Sequence, residues 1–471
     1  MSLRVSVTYV AWRGIGGALN VVTLAYLARA YGPAEYAKIA LAIGAALLTS
    51  SAVYGPLRSA LARFSEGYGK DQAILANVFT RASFAVALVG LIAACIDTVF
   101  AAFALASTCL AIAQGAFDYA VQHATSKFAP DRVGRLYLTK ATLSISIAAI
   151  VVGSAAPAWA AVGGLALATT AAVLSFGRAG FDHAWTPLRD LAPSRVREIV
   201  VFAAPLAVVG VLVFAAQWAD RAIVGAMLGA RTFGAYVAVA DLMQQLVGML
   251  FSGVGAAWYP RLVEATARDD KVEQARLFVR YVELMWILLV PAIVGLAVVS
   301  SSLASVVFGD RYAIDTAWPP LLAIGAGFAG MKAFLLDVPL FLRKRTTLHA
   351  GIVALTAATS TGLAFLLVPL FGVYGAAGAF CAATIVGCLA SWAAMRTFGP
   401  IVPRANSLVG VAVGCGLMFA SAASIVAPEA ARLAAAVAAG AIVYGTALWL
   451  LDVSDVRAFG RTLVSSLGVK R

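Results

Sequence analysis

The sequence predicts an all-α polytopic membrane protein with about 14 transmembrane helices, and three observations carry that prediction. First, 62% of the 471 residues are apolar and only 12% are charged, whereas a soluble domain is charged at about a quarter of its positions. Too few polar side chains remain to cover a soluble surface. Second, apolar runs of about 20 residues recur along the whole chain, each long enough to cross a hydrocarbon core of about 30 Å as a helix. A membrane β-barrel would show short alternating segments instead. Third, basic residues gather on alternate connections between the runs, as they do in cytoplasmic loops.

The runs fall at 7–30, 36–57, 79–96, 98–122, 136–156, 158–176, 198–228, 233–257, 279–307, 317–342, 347–370, 373–395, 407–427 and 430–451. The first holds Arg13 and Asn20 after Arg4, which is too long and too polar for the core of a cleavable signal. It is therefore expected to remain as a membrane helix. A tight turn around Asp97 separates the third and fourth runs. Pro205, Pro291 and Pro339 lie within runs, Pro319-Pro320 opens one, and glycine pairs occur at 16–17 and 163–164. Such positions let membrane helices bend or pack closely.

With the N-terminus inside, 27 Lys and Arg residues, Arg58, Arg81 and Lys140 among them, fall in inner segments. Only Arg29, Lys38, Arg231, Arg311 and Arg432 fall outside, and Arg13, Arg221 and Lys332 lie within spans. Losing one span in the middle would reverse the bias from there onward, so an even count with both termini cytoplasmic is expected. The formal charge of +13 is then an orientation device that suits an anionic inner leaflet, and nucleic acid is not needed to explain it.

The chain also resembles itself at a constant offset of 197 residues. Asn20 meets Gln217, Gly32 meets Gly229, and Tyr36 meets Phe233. The turns AYGPAEYA at 30–37 and MLGARTFG at 227–234 correspond, as do the charged connections at 60–73 and 258–275. Spans 1–6 and 7–12 therefore form two six-helix lobes in parallel repeat, with two C-terminal helices appended. The expected divisions are 1–197, 198–397 and 398–471. Six is even, so both halves share one orientation, and they would be related by an axis along the membrane normal.

Charges inside spans normally face protein or water, because each costs about 2.5–3.5 kcal/mol on insertion scales. Arg13, Gly16, Gly17 and Asn20 share one helix face, as the i, i+3, i+4, i+7 spacing requires. Gln217, Asp220, Arg221 and Val224 repeat that spacing, and so do Asp241, Gln244, Gln245 and Gly248. Gln114 and Asp118 stand one turn apart in the fourth span. Asp220 and Arg221 are neighbours and cannot face each other on a helix. Lys332 and Asp337, five apart, are expected on different faces. Asp118, Asp337 and Glu283 are expected to reach the interface from helix ends. Arg13, Arg221 and Lys332, with Asn20 and Gln217, are the candidate ligands of an anionic headgroup such as a phosphate. Asp220 and Asp241 are the candidates for cation coupling, and Gln244 and Gln245 extend the polar face.

The pattern resembles the polysaccharide and lipid-linked oligosaccharide flippases of the multidrug/oligosaccharidyl-lipid/polysaccharide (MOP) exporter superfamily. The likeness rests on LARAYGPAEYAKIALA at 27–42 and ADRAIVGAMLGARTFGAYVAVADLM at 219–243. It implies two lobes around a cationic cavity, and a lipid-linked glycan moved across a bacterial cytoplasmic membrane by alternating access. The implied partners are membrane lipids and glycan polymerase or export proteins. Multidrug exporters of the superfamily carry an acid in the first helix, whereas this first span has Arg13 and neither Asp nor Glu.

Three other classes compete with a flippase: a drug or metabolite exporter of the same fold, a polytopic glycosyl- or acyltransferase, and a scaffold. An enzyme would want catalytic groups at the membrane edge, usually with a sizeable outer loop, but no outer loop is long. His123, His183 and His349 fall in or beside inner connections. No phosphate-binding GxxxxGK[ST] motif occurs. Cys95, Cys109, Cys381, Cys388 and Cys415 sit in apolar runs without metal spacing. No cofactor, metal or catalytic residue is therefore assigned.

Overall fold

The computed structural model describes residues 3–64, 70–96, 100–127, 129–182, 193–268, 271–312, 314–343, 345–395, 403–425 and 429–453. The chain is all-α. Helix α1 (Leu3–Thr49) is broken at Gly32, whose φ of 75° is left-handed, a conformation open to glycine without steric cost. It runs on through a π-helical turn, Ser50–Tyr54, into α2 (Gly55–Phe64). Then come α3 (Lys70–Ile96), α4 (Ala101–Ser126), α5 (Pro130–Gly153) and α6 (Ala158–Phe176).

After a further connection come α7 (Pro193–Leu228), α8 (Ala230–Ala267) and α9 (Lys271–Phe308). Helix α10 (Trp318–Met331) passes through a second π-helical turn, Lys332–Leu336, to α11 (Val338–Leu342). The last helices are α12 (Thr346–Phe371), α13 (Val373–Met395), α14 (Ala405–Ala423) and α15 (Glu429–Leu450). Among the described residues, 13 helical stretches are long and apolar enough to cross a membrane. The first of them, Gly14–Ala62, is cut in two at Gly32, so all the spans expected from the sequence have a counterpart.

One detail departs from expectation. The charged stretch 258–275 is mostly helix, because α8 runs to Ala267 and α9 starts at Lys271. Its charges pair along the helices, Arg268 with Glu264 at 2.6 Å and Arg276 with Glu273 at 3.4 Å, the i,i+4 and i,i+3 spacings that support exposed helix. Pro205 and Pro291 sit inside helices that continue past them. Lost backbone bonds are tolerated in membrane helices where neighbouring groups satisfy the freed carbonyls.

The chain divides into two compact units, Met1–Ala238 with Val353–Gly372, and Val239–Ile352 with Val373–Arg471. In the first, α1 packs on α4, α5 and α6, and α3 packs on α4. Rings of Tyr54, Phe79, Tyr119 and Phe181 pack in its core, tilted or edge-on to one another. Gly115 lets Tyr54 approach α4, and Gly44 lets Trp218 approach α1, as small residues do at membrane helix contacts. In the second unit, α10 packs on α9 and α13, and the appended α14 and α15 both dock on α9. The Tyr444 hydroxyl of α15 donates to the Ile287 carbonyl of α9 at 2.7 Å.

Candidate functional site

The polar side chains of the spans form three clusters. The first, in unit one, joins α2, α4 and α5. Pro130 opens α5, where its missing N–H costs nothing, and Lys140 follows almost three turns later. The Lys140 ammonium donates to Gln114 Oε1 at 2.7 Å and lies 4.6 Å from the centre of the Phe117 ring. Gln114 Nε2 donates to Asp118 Oδ1 at 3.0 Å, one turn along α4. Arg58 of α2 stands 3.9 Å from Asp118 Oδ2, with half of its side chain exposed. Arg58 thus stands beside the carboxylate directly and Lys140 is linked to it through Gln114, and the half-exposed guanidinium can bind an oxyanion in forked geometry.

The second cluster, also in unit one, is closed. Asp220 and Arg221 are each 1% exposed. Tyr236, at the start of α8, donates its hydroxyl to Asp220 Oδ2 at 2.5 Å. The Arg221 guanidinium lies 5.0 Å from the centre of the Trp218 ring, a cation–π contact that gains strength when desolvated. As the spacing demanded, the partner of Asp220 comes from another helix.

The third cluster, in unit two, is built on the second π-helical turn. Lys332 donates to Asp337 Oδ2 at 2.7 Å, so the expectation that these residues lie on different faces is corrected. The Asp337 N–H bonds the Lys332 carbonyl at 2.8 Å. This i→i+5 bond of a π turn rotates residues five apart onto the same side. Asp337 does not reach toward the interface either: it is 3% exposed. Its other oxygen accepts from Ser391 of α13 at 2.8 Å, and His349 Nε2 of α12 stands 3.8 Å from Oδ2. Glu283, by contrast, faces the exposed Arg404 at 3.5 Å.

The expected ligands are thus distributed rather than gathered in one place. The side chain of Arg13 lies outside the described residues. Asn20 is half-buried, and Gln217 is exposed one turn before Arg221. Asp241, Gln244 and Gln245 lie half-buried on one face of α8. Lys140, counted above among inner-segment charges, sits within the candidate span Pro130–Gly153. It escaped notice because its partner lies on another helix, although the Gln114/Asp118 pair marked that partner's position. His349 and Ser391 had no local signal. Among the described residues no three metal-ligating side chains come together.

The pattern defining the family described as "Polysaccharide biosynthesis protein" matches residues 26–314. The chain belongs to that family. Its fold is that of the MOP superfamily. A structure described as "Lipid II flippase MurJ, inward closed conformation" superposes with a TM-score of 0.72 at 13% identity, covering 96% of this chain and 99% of that one. An inward-facing multidrug resistance MATE family transporter of the MOP superfamily gives 0.59 at 13% identity, covering 84% and 100%. A MOP superfamily transporter from Pyrococcus furiosus gives 0.52 at 15% identity, covering 84% and 95%. At such identities the likeness carries the fold alone. No curated protein sequence matches the chain.

Proposed function

We propose that this family member is a flippase, a secondary transporter that moves an isoprenoid-diphosphate-linked oligosaccharide or polysaccharide precursor across a bacterial cytoplasmic membrane by alternating access. One observation carries the reading: Lys140, inside a candidate span, donates to Gln114, Gln114 donates to Asp118, and the half-exposed Arg58 stands beside the same carboxylate. A diphosphate cannot cross hydrocarbon unaided, since stripping its hydration is prohibitive. A network holding more cation than carboxylate replaces part of that hydration. Asp118 keeps the cations compensated until the phosphates take its place.

Lys332 belongs to the same reading as a third cation, latched by Asp337. Asp220 and Arg221, buried and already engaged, serve as braces between α7 and α8 instead of ligands. Asp241 remains the candidate for ion coupling. The chain does no bond chemistry in this scheme, and glycan polymerase or export proteins would receive its product. The family's description, the fold shared with a lipid II flippase and the absence of an acid in the first span all support this substrate class. The fold shared with a multidrug resistance transporter leaves a multidrug or metabolite exporter as the second reading.

The test is glycan export in cells that depend on this chain. Arg58→Gln and Lys140→Gln together are expected to insert and fold normally yet to lose export by at least tenfold. Export at the normal rate by that double variant would remove the cluster from the mechanism. Efflux of drugs or small metabolites that survives the same substitutions would favour the second reading.

A further inference from the structure

A cleft of about 980 Å³ opens on the first unit between α1, α3 and α4. It is lined from Lys38 on α1 to Val53 in the π-helical turn that follows, from Ala82 to Ala93 on α3, and from Phe100, just before α4, to Ala111, with Val211 of α7 at its edge. Its back wall is sealed. The Ser107 hydroxyl of α4 donates to the Ala42 carbonyl of α1 at 2.7 Å, and Gly90 of α3 packs so tightly on Thr108 that a Cβ there would collide with it. The remaining walls are almost wholly apolar, and α3 turns Phe84, Leu88 and Val89 outward.

We propose that this cleft binds the two acyl chains of a zwitterionic aminophospholipid, whose headgroup rests on Lys38 and Glu35. The inference is independent of the transported substrate proposed above. An empty apolar cleft of this size would forfeit dispersion contacts along its walls, and in a bilayer hydrocarbon is the medium at hand. At roughly 30 Å³ per non-hydrogen atom, judged from water's share of liquid volume, the cleft holds about thirty carbons, a pair of ordinary acyl chains. Its walls run about 16 Å along α3 and α4 and about 22 Å along α1, at 1.5 Å per residue. One leaflet's hydrocarbon is about 15 Å deep, so acyl chains fit its depth.

The charges at the Lys38 end select the headgroup. The Lys38 ammonium pairs with Glu35 Oε1 at 2.6 Å, and both side chains are a little under half exposed. Exposed pairs of this kind contribute little to stability and can exchange partners readily. Lys38 suits the phosphate and Glu35 the primary ammonium, which donates hydrogen bonds that a quaternary choline cannot. An anionic headgroup, or the diphosphate of a single-chain isoprenoid, would draw Lys38 to its phosphate and leave the Glu35 carboxylate without a cation.

The experiment is native mass spectrometry of the full chain, purified from nanodiscs holding equal parts phosphatidylethanolamine, phosphatidylglycerol and phosphatidylcholine, with undecaprenyl phosphate added. Retention of phosphatidylethanolamine at least fivefold over each other lipid is expected. Glu35→Gln, an exposed and structurally mild change, should bring ethanolamine and choline lipids to equal retention. Ala45→Trp, which fills the cleft, should lose the bound lipid. Equal retention of the three phospholipids by the unaltered chain would overturn the proposal. So would preferential retention of undecaprenyl phosphate, which would give the cleft to an isoprenoid chain, or an unchanged preference in Glu35→Gln.

Discussion

Gly234, in the first turns of α8, lies against the carbonyl oxygen of Pro33, just past the break in α1. A Cβ at position 234 would collide with that oxygen. The contact joins the two turns that the internal repeat relates, 30–37 and 227–234, and it is made of backbone on the Pro33 side, which cannot rotate away. Gly234→Ala is therefore expected to destabilise the protein by about 1–3 kcal/mol, the range for overpacking. Gly14→Ala is the control: it lies in α1 with nothing within 4 Å of its Cβ position and should gain up to about 1 kcal/mol from helix propensity. Thermal unfolding in detergent compares them, and equal midpoints would contradict the packing argument.

The repeat makes a second prediction. Gly32 and Gly229, paired by the offset of 197, both adopt left-handed backbone, with φ of 75° and 84°. Neither has a neighbour within 4 Å of its Cβ position, so a substitution there meets strain and no clash. Gly32→Ala and Gly229→Ala should each cost about 1–3 kcal/mol, and at Gly32, whose ψ of 170° lies in a region essentially reserved for glycine, Asn should cost as much as Ala. An unchanged melting temperature for either Ala variant would contradict the strain argument.

Those glycines show why so much of the fold was legible. Span positions follow from hydropathy, and the helix breaks follow from residues whose backbone preference is local. Helix α9 and the end of α8 were longer than hydropathy suggested, because charged i,i+4 and i,i+3 pairs extend helix beyond the apolar run. The site was less legible for two physical reasons. A π turn has no composition of its own, so Lys332 and Asp337 were set on opposite faces by assuming α geometry. The Lys140–Gln114 bond joins positions 26 apart on different helices, and no spacing rule reports that. Asp220, in contrast, needed a partner from elsewhere by simple helix geometry, and Tyr236 supplies it.

The Lys332–Asp337 pair lends itself to a double-mutant cycle. Removing either partner alone strands a buried charge, and such a loss typically costs 3–5 kcal/mol. Asp337→Asn leaves Lys332 without its carboxylate. Lys332→Met leaves Asp337 with Ser391 and the more distant His349. Lys332→Met with Asp337→Leu removes both charges, and its stability should return to within about 1–2 kcal/mol of the unaltered chain. Additive losses in the double variant would show that the pair is not coupled.

The last prediction separates a brace from a ligand at Arg221. Tyr236→Phe removes the hydroxyl that Asp220 accepts from and should cost about 1–3 kcal/mol, the desolvation cost of an unsatisfied buried group. Arg221→Lys keeps the charge but loses the guanidinium contact on Trp218, so it should also lower the melting temperature. If Arg221 is a brace, export per correctly folded molecule stays normal in both variants, and lower temperature or a stabilising substitution elsewhere restores total export. A headgroup ligand would behave in the opposite way, with stable protein and export lost at every temperature. Measuring folded protein and export together on the same cells distinguishes the two, and an export defect in stably folded Arg221→Lys would return Arg221 to the substrate path.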